Sequence, residues 1–416
     1  MFHFLEESMK MNGIVFSALA IALCGAVVQD SLATELKFDG QVRYRSEFSN
    51  YSFDSNVDSY GMSALRTRIG FSAAPTEGLA IYIQAQDSRT MGGNGTSGTL
   101  VNDMNFGIHQ SYLSWDCRLI SGLNLLAGRF EMPKADERFF GSVGWNNVGR
   151  SFDGWVLGYD TPFTMVQFYG IKVVESFTAN QDVTVWGLYF NNLFDKRIDL
   201  FYNNDDYGQN AAEDTNVRST LGLHYDNAGA EYFDGKLGVN FNFGMQMGSN
   251  EWSGTAVDYA GQLIGLDAAW ALDMGFLNKV GFGYEMQSGD ADAADTSMDA
   301  WQNLYPTAHK FNGYMDLVNT GPNGLNDIQV NFWGSIADFV NYKLDYHMFS
   351  APEDFAGASG MDTAIGSEID LTLSKKFDNF TINAGYSMFT ADDHFAGTPN
   401  DGMNWMYLQF TAGFKD

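Results

Sequence analysis

The sequence predicts an all-β chain: a transmembrane antiparallel β-barrel of about 18 strands, with short periplasmic turns and long extracellular loops. Three observations carry the prediction. Only 18% of the residues are charged while 15% are aromatic, with 45 glycines against 7 prolines, a balance that favours a large β protein. Beyond residue 34 no apolar run is long enough for a membrane helix, which excludes a helical membrane protein. Period-two alternation recurs along the chain, in segments joined by connections that are by turns short and long.

Residues 1–33 read as an export signal peptide. Met9-Lys10-Met11-Asn12 gives a weakly basic start, Gly13 to Val28 is apolar apart from Ser17, and Ser31-Leu32-Ala33 offers small residues at the −3 and −1 positions before Thr34. The acidic stretch ahead of it fits a start assigned too early, with the true one near Met9 or Met11. A lipid-modified Cys24 is disfavoured because Leu23 stands where a small residue should precede it. Once the leader is cleaved only Cys117 remains, so no intrachain disulfide framework exists.

From residue 34 to 416 the chain reads as one barrel without linkers or repeats. In "ALRTRIGF", Leu65, Thr67, Ile69 and Phe71 share one face while Arg66 and Arg68 share the other. In "GKLGVNFNFGMQM", Leu237, Val239, Phe241, Phe243 and Met245 oppose Asn240, Asn242, Gly244 and Gln246. Ile328, Val330 and Phe332 oppose Gln329, Asn331 and Trp333, and Met406, Leu408, Phe410, Ala412 and Phe414 oppose Tyr407, Gln409 and Thr411.

A soluble sandwich also alternates, so the connections decide. Tight links at about 74–78, 118–122, 160–162, 191–196, 226–233, 271–275, 337–340 and 377–379 alternate with longer ones at about 50–60, 88–106, 131–150, 175–180, 204–216, 247–255, 288–325, 350–364 and 390–402. An even strand count with all the long loops at one end is the construction of an outer-membrane barrel. The strand near Asn404–Phe414 is expected to close onto that near Leu36–Phe48. Trp115, Trp155, Tyr159, Trp333 and Trp405 lie near strand ends and suit interfacial girdles.

The formal charge is −28, which excludes nucleic acid as a partner; outer-membrane lipid and lipopolysaccharide are the expected surroundings. Monomer and trimer are both compatible with the pattern. There is no His-Glu-x-x-His, Gly-x-Ser-x-Gly or phosphate-cradling motif, and His109, His224, His309, His347 and His394 are scattered over separate segments, so no catalytic, cofactor or metal constellation is expected. The loop "GDADAADTSMDAWQN", Gly289 to Asn303, lacks calcium-loop spacing and a closing glutamate; it reads as a solvated acidic loop.

Between two alternating segments, Gly128 to Trp155 concentrates Arg129, Glu131, Lys134, Asp136, Glu137, Arg138, Arg150 and Asp153. Such charge is intelligible where water and counter-charges are near, so this loop is expected to turn into the barrel. Nine of the eleven arginines precede residue 151, and Arg43/Arg45 and Arg66/Arg68 lie on the wet faces of consecutive strands. The candidate pore path is therefore Arg43, Arg45, Arg66, Arg68, Arg129, Arg138 and Arg150, with Glu131 and Asp153. A basic stripe in a narrow lumen raises the local anion concentration. The same arginines could equally form carboxylate ladders that stiffen the wall, with Glu47, Asp87, Glu131, Asp153, Glu368 and Asp370 as partners.

The sequence resembles the alginate-export type of outer-membrane porin. The carrying residues are Gly128-Arg129, Asp136-Glu137-Arg138, Trp145-Asn146-Asn147, Arg150 to Gly154, Tyr305 to Phe311 with Gly313 to Asp316, Asp345 to Phe349, and Gly366 to Asp370. The resemblance implies an eighteen-stranded barrel and passage of an anionic polysaccharide through a pore lined with basic residues. The net acidity departs from a simple anion-attracting picture, because Asp290, Asp292, Asp295, Asp299, Asp354, Asp392 and Asp393 fall in outer loops. The function expected is a porin passing small or linear hydrophilic solutes, with anionic sugars or alginate-type polysaccharide favoured. A general diffusion porin and a structural or adhesive barrel are the alternatives.

Overall fold

The computed structural model describes residues 36–92, 106–176, 181–193, 197–208, 216–227, 233–252, 255–292, 294–318, 321–337 and 339–415. The expected leader lies outside them. Among the described residues eighteen long strands follow in order: β1 Leu36–Asn50, β2 Tyr60–Thr76, β3 Leu79–Thr90, β4 Gly107–Asp116, β5 Leu123–Phe130, β6 Phe152–Asp160, β7 Met165–Val174, β8 Val183–Asn191, β9 Ile198–Asp206, β10 Asn216–Asp226, β11 Leu237–Trp252, β12 Gln262–Met274, β13 Leu277–Gln287, β14 Leu325–Ile336, β15 Val340–Gly357, β16 Gly360–Lys376, β17 Phe380–Ala391 and β18 Met403–Lys415. Each pairs antiparallel with its chain neighbours, and β1 pairs with β18 from Asp39↔Lys415 to Asn50↔Asn404. The closed barrel leaves no strand edge unpaired, which lipid requires.

The alternation sorts the side chains as the pleat demands. Val42, Ile69, Leu221, Phe282, Met348, Met406 and Leu408 are exposed on the outer face, while Arg43, Arg66, Gln86, Asn242, Gln329 and Asp345 are buried inside. The girdle assignment divides: Trp155 and Tyr159 are exposed outside, and Trp155 packs edge-on to Phe168 at 5.0 Å. Trp405, by contrast, is buried beside Tyr407, and Trp333 lies under Lys279 and Lys343 within the lumen.

The short links fall close to expectation. Among the long ones, 350–364 differs: β15 and β16 continue past the barrel as a hairpin whose link is only Ala358-Ser359, closed by Gly360 at φ +117°. Register shifts between Phe349 and Phe355 bend this hairpin. The backbone N–H of Ala358 donates to the His394 carbonyl at 2.8 Å, so the loop after β17 supports it. The end of β11 likewise folds back, pairing Ser249–Trp252 with a short strand at Thr255–Tyr259.

Two long connections turn inward. Residues 131–151 cross the lumen, and residues 300–318 of the second connection meet them there. Phe130, Met132, Phe139 and Phe140 pack with Phe152, Val156, Tyr169, Ile171, Val185, Tyr189 and Phe201 of the β6–β9 wall and with Trp301 and Leu304 of the second loop. Where the loop covers it, the inward face of β6–β8 is largely apolar because it receives protein and not water, while β9 also turns Asp199, Asn203 and Asp205 inward. A second cluster joins Met315 and Val318 to Phe349, Ile365, Phe389, Trp405 and Tyr407.

Candidate functional site

The lumen at the level of these loops is the candidate site, and its geometry starts from the arginines of β1 and β2. Strand pleat aims Arg43, Arg45, Arg66 and Arg68 inward. Arg43 donates to the carbonyls of Gly144 and Asn146 at 2.8 and 2.9 Å and to the Asn147 side chain. Arg66 donates to the same two carbonyls at 3.0 and 2.9 Å and to Gln41 at 2.7 Å. Arg45 reaches the Trp145 carbonyl, pairs with Glu47 at 2.6 Å, and lies 4.0 Å over the Trp145 ring. Ser88 of β3 donates to the Asn147 carbonyl. The sequence-predicted arginine row is therefore a clamp on the backbone of residues 144–147. Arg43 and Arg66, each 4% exposed, meet loop carbonyls where the stripe reading placed a solute.

Arg68 donates to Gln86 and pairs with Glu131, which also meets His109 at 2.6 Å. Burial alone would raise the Glu131 carboxyl, but His109 and Arg68 outweigh it and hold the group below its usual range. Lys134 lies over the Tyr189 ring and donates to Gln167, and burial pushes its ammonium down to about 8.

Arg138 and Arg150 also act within the loops. Arg138 reaches Asp267 of β12 at 3.0 Å and Glu285 of β13, with Asp136 at 3.6 Å, and its guanidinium lies 4.1 Å from the Phe311 ring centre. Arg150 donates to the carbonyls of Gly141, Tyr305 and Pro306, tying the two loops together. Reciprocal backbone bonds join Gly141 N–H to Tyr305 and Tyr305 N–H to Phe139. A Cβ on Gly141 would stand 2.8 Å from the Thr307 nitrogen, so only glycine permits this approach. Thr307 completes the contact by donating to Glu137 at 2.6 Å.

Two of the predicted path residues lie elsewhere. Arg129 and Asp153 pair with each other at 2.5 Å across β5 and β6 with side chains about half exposed, in the outward row that also holds Trp155 and Leu113. Glycine at position 128, with φ +130°, and the shortness of β5 put this pair at the outer end of the wall. They are corrected to the barrel exterior.

The wall that faces the clamp carries carboxylates, of which the sequence marked only Glu368 and Asp370, as ladder partners. Asp267, Glu285, Asp327, Asp345, Glu368 and Asp370 line β12–β16, countered by Arg138, Lys343 and His347. Tyr305, His309 and Tyr314 bring the second loop in. His309 stacks on Trp145 at 4.4 Å and on Tyr314 at 5.3 Å, its Nδ1 bonded to Asp316. The available signal was the aromatic content of both loops, which a solvated loop does not need. Among the described residues no group of histidines, cysteines and carboxylates is arranged to hold a metal.

A closed barrel of eighteen strands with two loops folded into its lumen is an outer-membrane channel, and its place is the bacterial outer membrane. The chain matches the alginate export family over residues 34–406 and belongs to it. No curated protein matches it in sequence. Among solved structures it is similar to Pseudomonas aeruginosa OccK5 (OpdH), at 12% identity and TM-score 0.61, covering 92% of this chain and 98% of that one. It is also similar to Acinetobacter baumannii OccAB2, at 10% identity and TM-score 0.62 over 92% and 98% of the two chains. A third, Pseudomonas aeruginosa OccD3 (OpdP), shares 11% identity at TM-score 0.59 over 92% of each. At these identities the likeness is one of fold.

Proposed function

We propose that the chain is a passive channel for small or linear hydrophilic solutes that favours anionic saccharides of the alginate type. The observation that carries this reading is the inward cluster Arg43, Arg45, Arg66 and Arg68, which meets Glu47 and Glu131 as carboxylate partners. Carbonyl oxygens satisfy guanidinium donors without cancelling their charge, so the cluster keeps a positive field beside the constriction. Arg43 and Arg66 act on a solute through that field while their donors hold the loop. The solute gains a lowered barrier without a tight binding site, as conduction requires.

The carboxylates on β12–β16 favour a second reading, a general diffusion porin in which the two walls balance. The reversal potential of the purified protein in a salt gradient separates them. Anion preference is expected; cation preference or none would overturn the anionic-saccharide reading and leave the channel in place.

A further inference from the structure

The outer face of the barrel does not carry the same height of apolar surface all round. In β15 and β17 the outward row stays apolar as far as Met348 and Met388, eight residues from Val340 and Phe380 at the short-turn end. It turns polar two residues further, at Ser350 and Thr390. Ten residues climb roughly 25 Å along the membrane normal, at about 3.3 Å per residue and a strand tilt of about 40°, which is the height of the apolar band of such barrels. In β5, β6 and β7 the outward row becomes charged sooner. Arg129 lies six residues from Leu123, Asp153 seven from Asp160 and Lys172 seven from Met165. By the same conversion these charges stand only roughly 15–18 Å up, at a level where the opposite wall still faces acyl chains.

The strand register sets the three side by side, Arg129↔Asp153 on β5 and β6 and Asp153↔Lys172 on β6 and β7. Arg129 donates to Asp153 through Nε at 2.8 Å, and Lys172 pairs with Asp182, just before β8, at 2.5 Å and with Glu175 at 3.1 Å. These pairs lower the cost of the charges but do not hide them: the side chains of Arg129 and Asp153 are about half exposed and those of Lys172 and Asp182 about a third. Read along the row, the signs run positive, negative, positive, negative. Beneath it Trp155 lies across Gly170, where a Cβ would stand 2.8 Å from the ring, and packs edge-on to Phe168. On the lumen side the same wall is backed by the packed loops, which makes it a firm surface.

We propose that the outer wall of β5–β8 is the contact between two copies of this chain, related by a two-fold axis along the membrane normal that passes between Asp153 and Lys172. Turned by 180° about that axis, the row of the second copy runs in reverse, so each charge meets its opposite: Arg129 faces Asp182, and Asp153 faces Lys172. The pairs within each chain persist and join into one network across the contact, and each copy shields the other's charges from lipid. Lipopolysaccharide fits the row less well, because two cations beside three carboxylates leave no excess positive charge for its phosphates, and the row lies at the level of its acyl chains. The inference stands on the outer wall and is independent of what the lumen passes.

The test reads the mass of the full purified barrel in mild detergent, by light scattering corrected for bound detergent. The unaltered protein should carry two copies per particle. Arg129→Asp/Asp153→Arg keeps the ion pair inside each chain but reverses half of the row, so like charges face each other across the axis and the particle should fall to one copy. Lys172→Asp/Asp182→Lys alone reverses the other half and should do the same, so a barrel that fails to fold with one half reversed is read with the other. All four exchanges together restore the alternation and should restore two copies. Heat-shifted gel mobility shows which variants are folded. One copy in the unaltered protein, two copies in a folded half-reversed variant, or a folded four-site variant that stays single would overturn the inference. A single copy that retains lipopolysaccharide, and loses it on either half reversal, would overturn it in favour of the lipid.

Discussion

Arg138 lies almost wholly buried between Asp136, Asp267 and Glu285. Removing it would leave carboxylates without their cation in a desolvated site. Arg138→Ala is therefore expected to destabilise the folded barrel by about 3–5 kcal/mol in a bilayer folding titration, and an unchanged midpoint would refute the pairing. Neighbouring positions 241 and 242 make a second residue-scale test. Phe241→Arg puts a charge on the lipid face and should cost about 2–4 kcal/mol. Asn242, read from sequence as a water-facing lumen residue, is fully buried and bonded to Asp136, Asn240 and His224. Asn242→Arg should thus be costly too, and a near-neutral midpoint would contradict the packing described. The direction in which these residues point was legible from period-two alternation. What meets them inside was not, because contacts between residues about a hundred positions apart leave no local trace.

At the scale of elements, the alternation was clear in β2, β11, β14 and β18, where water or polar groups face the inner side. It was obscured in β7, "MVQFYGIKVV", whose inner Tyr169 and Ile171 are as apolar as its outer Phe168 because a loop covers them. The 350–364 segment, expected as one of the long connections, instead continues ladder pairing from Phe355↔Asp362 to Gly357↔Gly360. The inward fold of residues 131–151 was legible from charge that lipid would not tolerate; the partner loop 288–324 was masked by its acidic first half. Their contact predicts that Gly141→Ala, by pushing on Thr307, loosens both loops, and limited proteolysis should then cut within 131–151 faster than in the unaltered protein. Equal rates would contradict the interlock. Lys134 adds a pH dependence. Burial holds its folded-state value near 8 against the usual 10.5, so between these values the unfolded chain binds more protons and stability rises with pH. Below about 8 the buried ammonium costs stability. Lys134→Met should remove that rise from folding midpoints measured between pH 8 and 10; a slope that persists would assign it to another group.

The whole molecule is a closed wall with its interior furnished by its own loops, and its two sides differ in sign. Guanidinium groups gather on β1 and β2, carboxylates on β12–β16, and the loops span the distance between them. Fold class, strand number and the sense of the loops could be read from the sequence, since each depends on pattern; the clamp depends on which backbone carbonyls the loop presents, which no pattern encodes. The central claim is that Arg43 and Arg66 hold the loop across the lumen and also charge the constriction. Single-channel recording of the Arg43→Gln/Arg66→Gln double variant in planar bilayers tests it most directly. Released from both guanidinium groups, the loop should retract, giving a larger unitary conductance together with a reversal potential shifted towards cations. Conductance and reversal potential both equal to those of the unaltered protein would contradict the account.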